Sequence, residues 1–168
     1  MLWPYPRLFT WYIGGTGEPP CQVYPIKVEL AKELIEIAPE GLKKVFYSDS
    51  GSTAVEIALK MAFQYWQQKR EKAAKKKKKF VSFINAYHGD TVGSVSVGGI
   101  DLFHRRYKPL LFGTLKSEYP YCYRCIRKFP ACKLYCAKKL ENILSGRHNN
   151  VAAVIEEPLV QGAAGMLM

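Results

Sequence analysis

A chain of 168 residues is long enough for one domain with its own core, and 48% apolar against 23% charged residues is the balance of a globular protein, not a disordered one. No uncharged apolar run reaches the roughly 18 residues a membrane-spanning helix needs. The opening Met1-Leu2-Trp3-Pro4-Tyr5-Pro6-Arg7 lacks the order of a signal peptide, so an intracellular, cytoplasmic protein is expected. A net charge of +11 suggests a nucleic-acid partner, but its placement argues against one: eight cations and one acid fall between Lys69 and Lys79, the pattern of a solvated connector.

Residues 1–25 are rich in Pro, Gly and aromatics and hold no period for long, so they read as a divergent, loop-rich segment with one short strand at Phe9 to Ile13. Gly14 to Gly17 lacks the Gly-Lys-Ser/Thr ending of a phosphate loop. Residues 26–38 predict an amphipathic helix, with Ile26, Leu30, Leu34, Ile37 and Ala38 near one face, and Pro39-Glu40-Gly41 ends it. A short strand end at Val45 to Tyr47 runs into Ser48-Asp49-Ser50-Gly51-Ser52. A long helix to about Lys72 follows, with Ala54, Ile57, Ala58, Met61, Ala62 and Tyr65 as its apolar stripe and Thr53 and Glu56 at capping-box spacing.

Ser50, Gly51 and Ser52 therefore lie at or just before a first helical turn, where backbone N–H groups are unpaired and the helix dipole is positive. This is a seat for a phosphate; without a ligand it is a capped helix. The basic loop 69–79 leads to a strand at Phe80 to Ile84, which ends in the polar loop Asn85 to Thr91 with Tyr87, His88 and Asp90. A small-residue helix follows at Thr91 to Val97 and breaks at Gly98-Gly99. Residues 100–121 look irregular, and Lys133 to Leu144 predicts a helix stopped by Ser145-Gly146. Val151 to Ile155 is a continuous apolar run, typical of a strand covered on both faces, and it ends in Glu156-Glu157-Pro158 and a loop at Gln161 to Gly165.

Strands alternating with helices predict an α/β fold with a mainly parallel sheet, where ligands gather beyond the carboxyl ends of the strands. Three such ends carry polar residues: Ser50 to Ser52, Tyr87 to Asp90 and Glu157 to Gln161. In that order and spacing they resemble the class III, fold-type I, pyridoxal-phosphate aminotransferases. The carrying residues are Val45 to Glu56, Lys60 to Trp66, Tyr87-His88-Gly89-Asp90-Thr91, Cys122-Tyr123-Arg124-Cys125 and Glu157-Pro158-Leu159-Val160-Gln161-Gly162.

The resemblance covers residues 26–168 and implies a partial large, cofactor-binding domain with pyridoxal 5'-phosphate as cofactor. By it, Gly51 and Ser52 hold the phosphate with Ser50 beside them, and Tyr87 lies against the pyridine ring and touches substrate. His88 sits beside the ring, Glu157 helps position cofactor and substrate, and Asp90 shapes the loop. The reaction implied is amino transfer, with S-adenosylmethionine as donor and 8-amino-7-oxononanoate as acceptor, the biotin-pathway branch of the family. A homodimer is implied for the full-length family.

Taken without the resemblance, Tyr87 reads as a half-buried strand-end tyrosine and Glu157 as a strand-end acid in water. Two decisive family residues, an aspartate that pairs with the pyridine nitrogen and the lysine that bonds the cofactor, have no matching motif in residues 1–168, and Lys60 is expected at the surface. The polypeptide as written is therefore expected to be inactive and poorly soluble alone, with no catalytic residue assigned.

Cys122, Cys125, Cys132 and Cys136, in a Cys-rich insertion at 119–136, place four thiols within 15 residues, so a four-thiolate metal site competes with reduced thiols packing a loop. Two further readings stand beside the aminotransferase fragment: a noncatalytic binding or regulatory module, and a small basic nucleic-acid-binding protein built on that cysteine cluster.

Overall fold

The computed structural model describes residues 25–125, 127–128, 130–163 and 165–167. The readings made for residues 1–24, including the strand at Phe9 to Ile13, lie outside them. The chain divides into two units, residues 1–47 and 48–168. In the first, helix α1 runs from Pro25 to Ile37, as its apolar period predicts, and none of its residues is buried. The chain turns at Pro39, whose carbonyl accepts from Leu42 N at 3.2 Å. Val45 to Tyr47 forms no strand: an extended segment becomes one only through a ladder of backbone bonds, and here the Tyr47 hydroxyl donates to Lys27 O at 2.6 Å.

The second unit opens with α2 (Gly51–Gln67), followed by β1 (Lys79–Phe83), α3 (Val92–Val97), a single turn α4 (Asp101–His104), β2 (Leu115–Ser117), α5 (Tyr135–Arg147), β3 (Val151–Val154) and a small antiparallel pair, β4 (Val160–Gln161) and β5 (Met166–Leu167). The sheet is parallel, in the order β2-β1-β3, with Val81 opposite Leu115 and Val154. Alternate residues of β1 face opposite sides, as a pleated strand requires. Phe80 packs with Leu59 of α2 and Val97 of α3, while Phe83 packs with Ala86 and Tyr119, backed by Leu140 of α5. Helices flank the sheet on both faces, the α/β arrangement the alternation predicts.

Four sequence expectations are corrected. The first concerns the face of α2: Val55, Leu59 and Ala62 pack toward the core, and the Trp66 indole donates to Ala152 O at 2.7 Å. Ala54, Ala58, Met61 and Tyr65 are exposed, because the helix is apolar on two sides and the sheet selects the side carrying Leu and Trp.

The second concerns its end. The helix closes at Gln67 rather than near Lys72, and the Gln67 side chain donates to the carbonyls of Lys75 and Lys77 at 3.3 and 3.5 Å. A run of like charges is a poor helix continuation, and Ala74–Lys76 is a single 3₁₀ turn instead. The third concerns β3, which lies at the edge of the sheet with Val154 exposed, so it is not covered on both faces. The fourth concerns residues 100–121, which contain α4 and the three-residue strand β2, too short to show a period of two. In addition, α5 continues through Ser145-Gly146 to Arg147.

The four cysteines are free thiols, and among the described residues no three of His, Cys, Asp and Glu are grouped as a metal site. No helix among the described residues is long and apolar enough to cross a membrane. The basic segment is anchored: Lys77 Nζ donates to His148 O and lies 4.7 Å from the Trp66 ring centroid, and Lys69 Nζ lies 4.4 Å from that of Tyr65.

Candidate functional site

The site begins at the N-terminus of α2. Ser50 is its N-cap: Thr53 N donates to Ser50 Oγ at 3.2 Å and Ser50 N donates to Thr53 Oγ1 at 3.1 Å, a reciprocal capping box. The box is thus Ser50 with Thr53, not Thr53 with Glu56. Glu56 instead accepts from Thr91 Oγ1 and Gly93 N, both at 3.2 Å, and ties α2 to the start of α3. While accepting from Ser50 N, the Thr53 hydroxyl donates to Asp49 Oδ1 at 2.7 Å, a bond that holds the Asp49 carboxyl below its ordinary value.

Because the Ser50 hydroxyl is engaged in the cap, what remains for an anion is the backbone at Gly51 and Ser52, together with the Ser52 hydroxyl. A Cβ built on Gly51 meets nothing within 4 Å, so the approach to these amides is open. Open amides at the positive end of a 17-residue helix fit a phosphate.

The loop after β1 closes on this turn. Asp90 N donates to Ser52 Oγ at 3.2 Å, and Ser94 Oγ donates to Ser52 O at 3.0 Å. Gly89 makes the approach possible. Its φ is +114°, and a Cβ there would lie 1.9 Å from Ser52 Oγ, so only glycine fits. The Tyr87 hydroxyl donates to Asp90 Oδ2 at 2.6 Å, and this bond raises the phenol pKa above its ordinary value. Glu157, beyond β3, is not simply an acid in water: Tyr87 N donates to its Oε2 and Gly162 N to its Oε1, both at 3.0 Å. The three segments singled out in the sequence therefore meet, joined by Ser52–Asp90 on one side and Tyr87–Glu157 on the other.

His88 is half-buried, and its Nε2 has no hydrogen-bond partner among the described residues. Burial lowers its pKa, and the Lys116 charge adds to this, while the Glu157 carboxylate opposes it. A polar atom left without a partner, on the loop that closes on the anion seat, is the kind of group a bound cofactor satisfies. Together with the open Gly51 amide, it makes these residues a fit for a phosphorylated ring.

Two further residues contribute through long-range contacts. Lys116, on β2, reaches across the sheet. Its ammonium donates to Ser82 Oγ at 2.7 Å, Val97 O at 3.0 Å and Gly98 O, so it caps α3 and fixes where the Tyr87 loop begins. Burial lowers its pKa to about 8. Gln161 is buried, and its side-chain amide donates to Ile84 O at 3.1 Å, pinning the last residue before the loop. Lys116 carries no sequence signal, since it acts through contacts more than 15 residues away, whereas Gln161 lies in the strand-end motif Glu157 to Gly162 but its reach to Ile84 could not be read there.

Residues 21–168 match the model of the class-III aminotransferase family, so the chain belongs to that family. Among named relatives, the adenosylmethionine-8-amino-7-oxononanoate aminotransferase of Geobacter sulfurreducens is 56% identical over 144 residues, which cover 84% of this chain and 31% of the relative. That of Aquifex aeolicus is 54% identical over 142 residues, covering 82% and 30%.

Solved structures agree. The adenosylmethionine-8-amino-7-oxononanoate aminotransferase of Methanocaldococcus jannaschii superposes with a TM-score of 0.74 at 40% identity, over 88% of this chain and 30% of that one. An amine transaminase from an uncultivated Pseudomonas species, solved in its pyridoxal-phosphate-bound form, gives 0.74 at 35% identity over 95% of this chain and 35% of that one. The chain thus spans about a third of the length of the proteins it matches.

Proposed function

We propose that residues 48–168 form the phosphate-and-ring side of a pyridoxal-phosphate site in an aminotransferase that moves an amino group from S-adenosylmethionine to 8-amino-7-oxononanoate. The observation that carries this reading is the hydrogen bond from Asp90 N to Ser52 Oγ at 3.2 Å, which sets the loop of Tyr87 and His88 against the open N-terminus of α2. The substrate pair is favoured by the identity to relatives bearing that name, above the identity to other transaminases.

When bound, the cofactor supplies an electron sink. The chain's own residues hold and orient it. The amides of Gly51 and Ser52 and the Ser52 hydroxyl take the phosphate, and Ser50 keeps the helix end in register. Tyr87 presents a flat aromatic face to the ring and to substrate. Glu157 fixes the Tyr87 backbone, and His88 faces the ring with a nitrogen that its surroundings favour keeping neutral. No residue among the 168 is assigned the proton-transfer role, and the polypeptide by itself is expected not to turn over. A homodimer is part of the proposal for the complete enzyme.

The test is a chimera in which this chain replaces the matching segment of the Geobacter sulfurreducens protein. The expected result is a protein that retains pyridoxal phosphate on gel filtration and aminates 8-amino-7-oxononanoate with S-adenosylmethionine. A folded chimera that retains no cofactor would overturn the reading.

A further inference from the structure

Behind Tyr87 stands His104, the last residue of α4. It is 6% exposed, and neither ring nitrogen has a hydrogen-bond partner among the described residues. With no hydrogen bond to orient it, the ring is placed by what packs against its face and edges.

The ring lies nearly parallel to that of Tyr87, with centroids 6.3 Å apart and 15° between planes. Its edge points at the Tyr87 latch: Nε2 is 3.9 Å from Asp90 Oδ1, too far for a hydrogen bond, while Asp90 Oδ2 accepts the Tyr87 hydroxyl. The other nearby ion pair is self-contained, since Asp101 takes Lys108 at 3.1 Å, so Asp90 is the carboxylate presented to His104. Phe103 meets the imidazole edge-on, and a Cβ built on Gly98 would come within 3.3 Å of its Cε1, so there is little room for the ring to turn. Two cavities, of about 550 and 660 Å³, are lined by His104, and Tyr87 and Asp90 line the second.

We propose that His104 is a positioning residue for the cofactor loop. Its imidazole backs one face of Tyr87, so that the tyrosine ring keeps its hydroxyl on Asp90 and leaves its other face for the site. This rests on the reading of Tyr87 as bordering the cofactor, but the contact itself is a property of the chain without ligand. Asp90 N reaches Ser52 Oγ, so the same latch that fixes the ring also meets the phosphate seat. His104 touches neither seat nor ring and acts only through Tyr87 and Asp90.

The test uses the full chain with ring-labelled tyrosine, titrated by NMR, with Tyr87→Phe to assign the signal. In wild type the Tyr87 phenol titrates above its ordinary value because Asp90 holds it. His104→Ala should free the ring and bring that midpoint down toward the ordinary value of about 10, whereas His104→Phe, which keeps a flat ring in place, should retain most of the elevation. If the alanine variant does not fold, His104→Leu replaces it, filling the volume without a stacking face.

A Tyr87 midpoint unmoved in the non-aromatic variant, or lowered equally by phenylalanine, would overturn the proposal. Pyridoxamine 5'-phosphate fluorescence with Gly51→Asp tests the seat separately. Loss of binding supports the seat whatever His104 does, and unchanged binding sinks the seat reading while leaving the tyrosine titration to judge His104.

Discussion

At the scale of single residues, the site is built from groups whose usual partners have been removed or redirected. Ser50 spends its hydroxyl on Thr53, and Ser52 takes an amide from the neighbouring loop. His88 is left with an unpartnered Nε2 in a half-buried position, and burial is the main cause of its lowered pKa. The sign of the pH effect follows. Between that lowered value and the ordinary value of about 6.5, the unfolded chain binds a proton that the folded chain refuses. Stability is therefore full above about pH 7 and falls as pH drops through that window. Urea unfolding at pH 7.5 and 5 should show a loss that His88→Gln reduces, and an identical loss in the variant would remove His88 as its source.

At the scale of elements, α2 carries the proposed phosphate seat, and its orientation is set by the side chains that reach the sheet. Leu59 is 8% exposed and packs on Phe80 and Val97, whereas Ala58, one position away, is exposed. Leu59→Ala should cost about 2–5 kcal/mol of unfolding free energy by the usual cavity argument. Ala58→Ser should cost less than about 0.7 kcal/mol, the scale of helix propensity. Chemical denaturation of both variants checks the assignment, and the reverse order would mean the helix turns its other face to the sheet.

This helix also shows how far the sequence was legible. Its start and its meeting with the Tyr87 loop could be read from motif order. Its buried face could not, because α2 is apolar on two sides and periodicity does not say which side a sheet will cover. The same holds for β2, whose three residues are too few to show alternation, and for Lys116, whose role depends on oxygens supplied by β1 and by the end of α3. Local chemistry is written in neighbouring residues; long-range satisfaction of polar groups is not.

At the scale of the whole molecule, two anion-attracting regions compete for attention. One is the open end of α2. The other is the stretch from Lys69 to Lys79, which holds eight cations and one acid. Their physics differs. The first is a set of fixed amides with an adjacent aromatic loop, an arrangement suited to the phosphorylated ring proposed for it. The second is a run of like charge, two of whose cations lie on the Tyr65 and Trp66 rings, and it attracts any polyanion in a salt-dependent way. The family match and the meeting of the three strand-end segments favour the first as the functional region.

Amide chemical-shift mapping with pyridoxamine 5'-phosphate, which has no aldehyde to react with surface lysines, compares the two directly. The account predicts perturbations gathered at Gly51, Ser52, Tyr87 and His88, and their loss when phosphate-free pyridoxamine is used instead. Perturbations confined to Lys69 through Lys79, with the N-terminus of α2 unmoved, would contradict it.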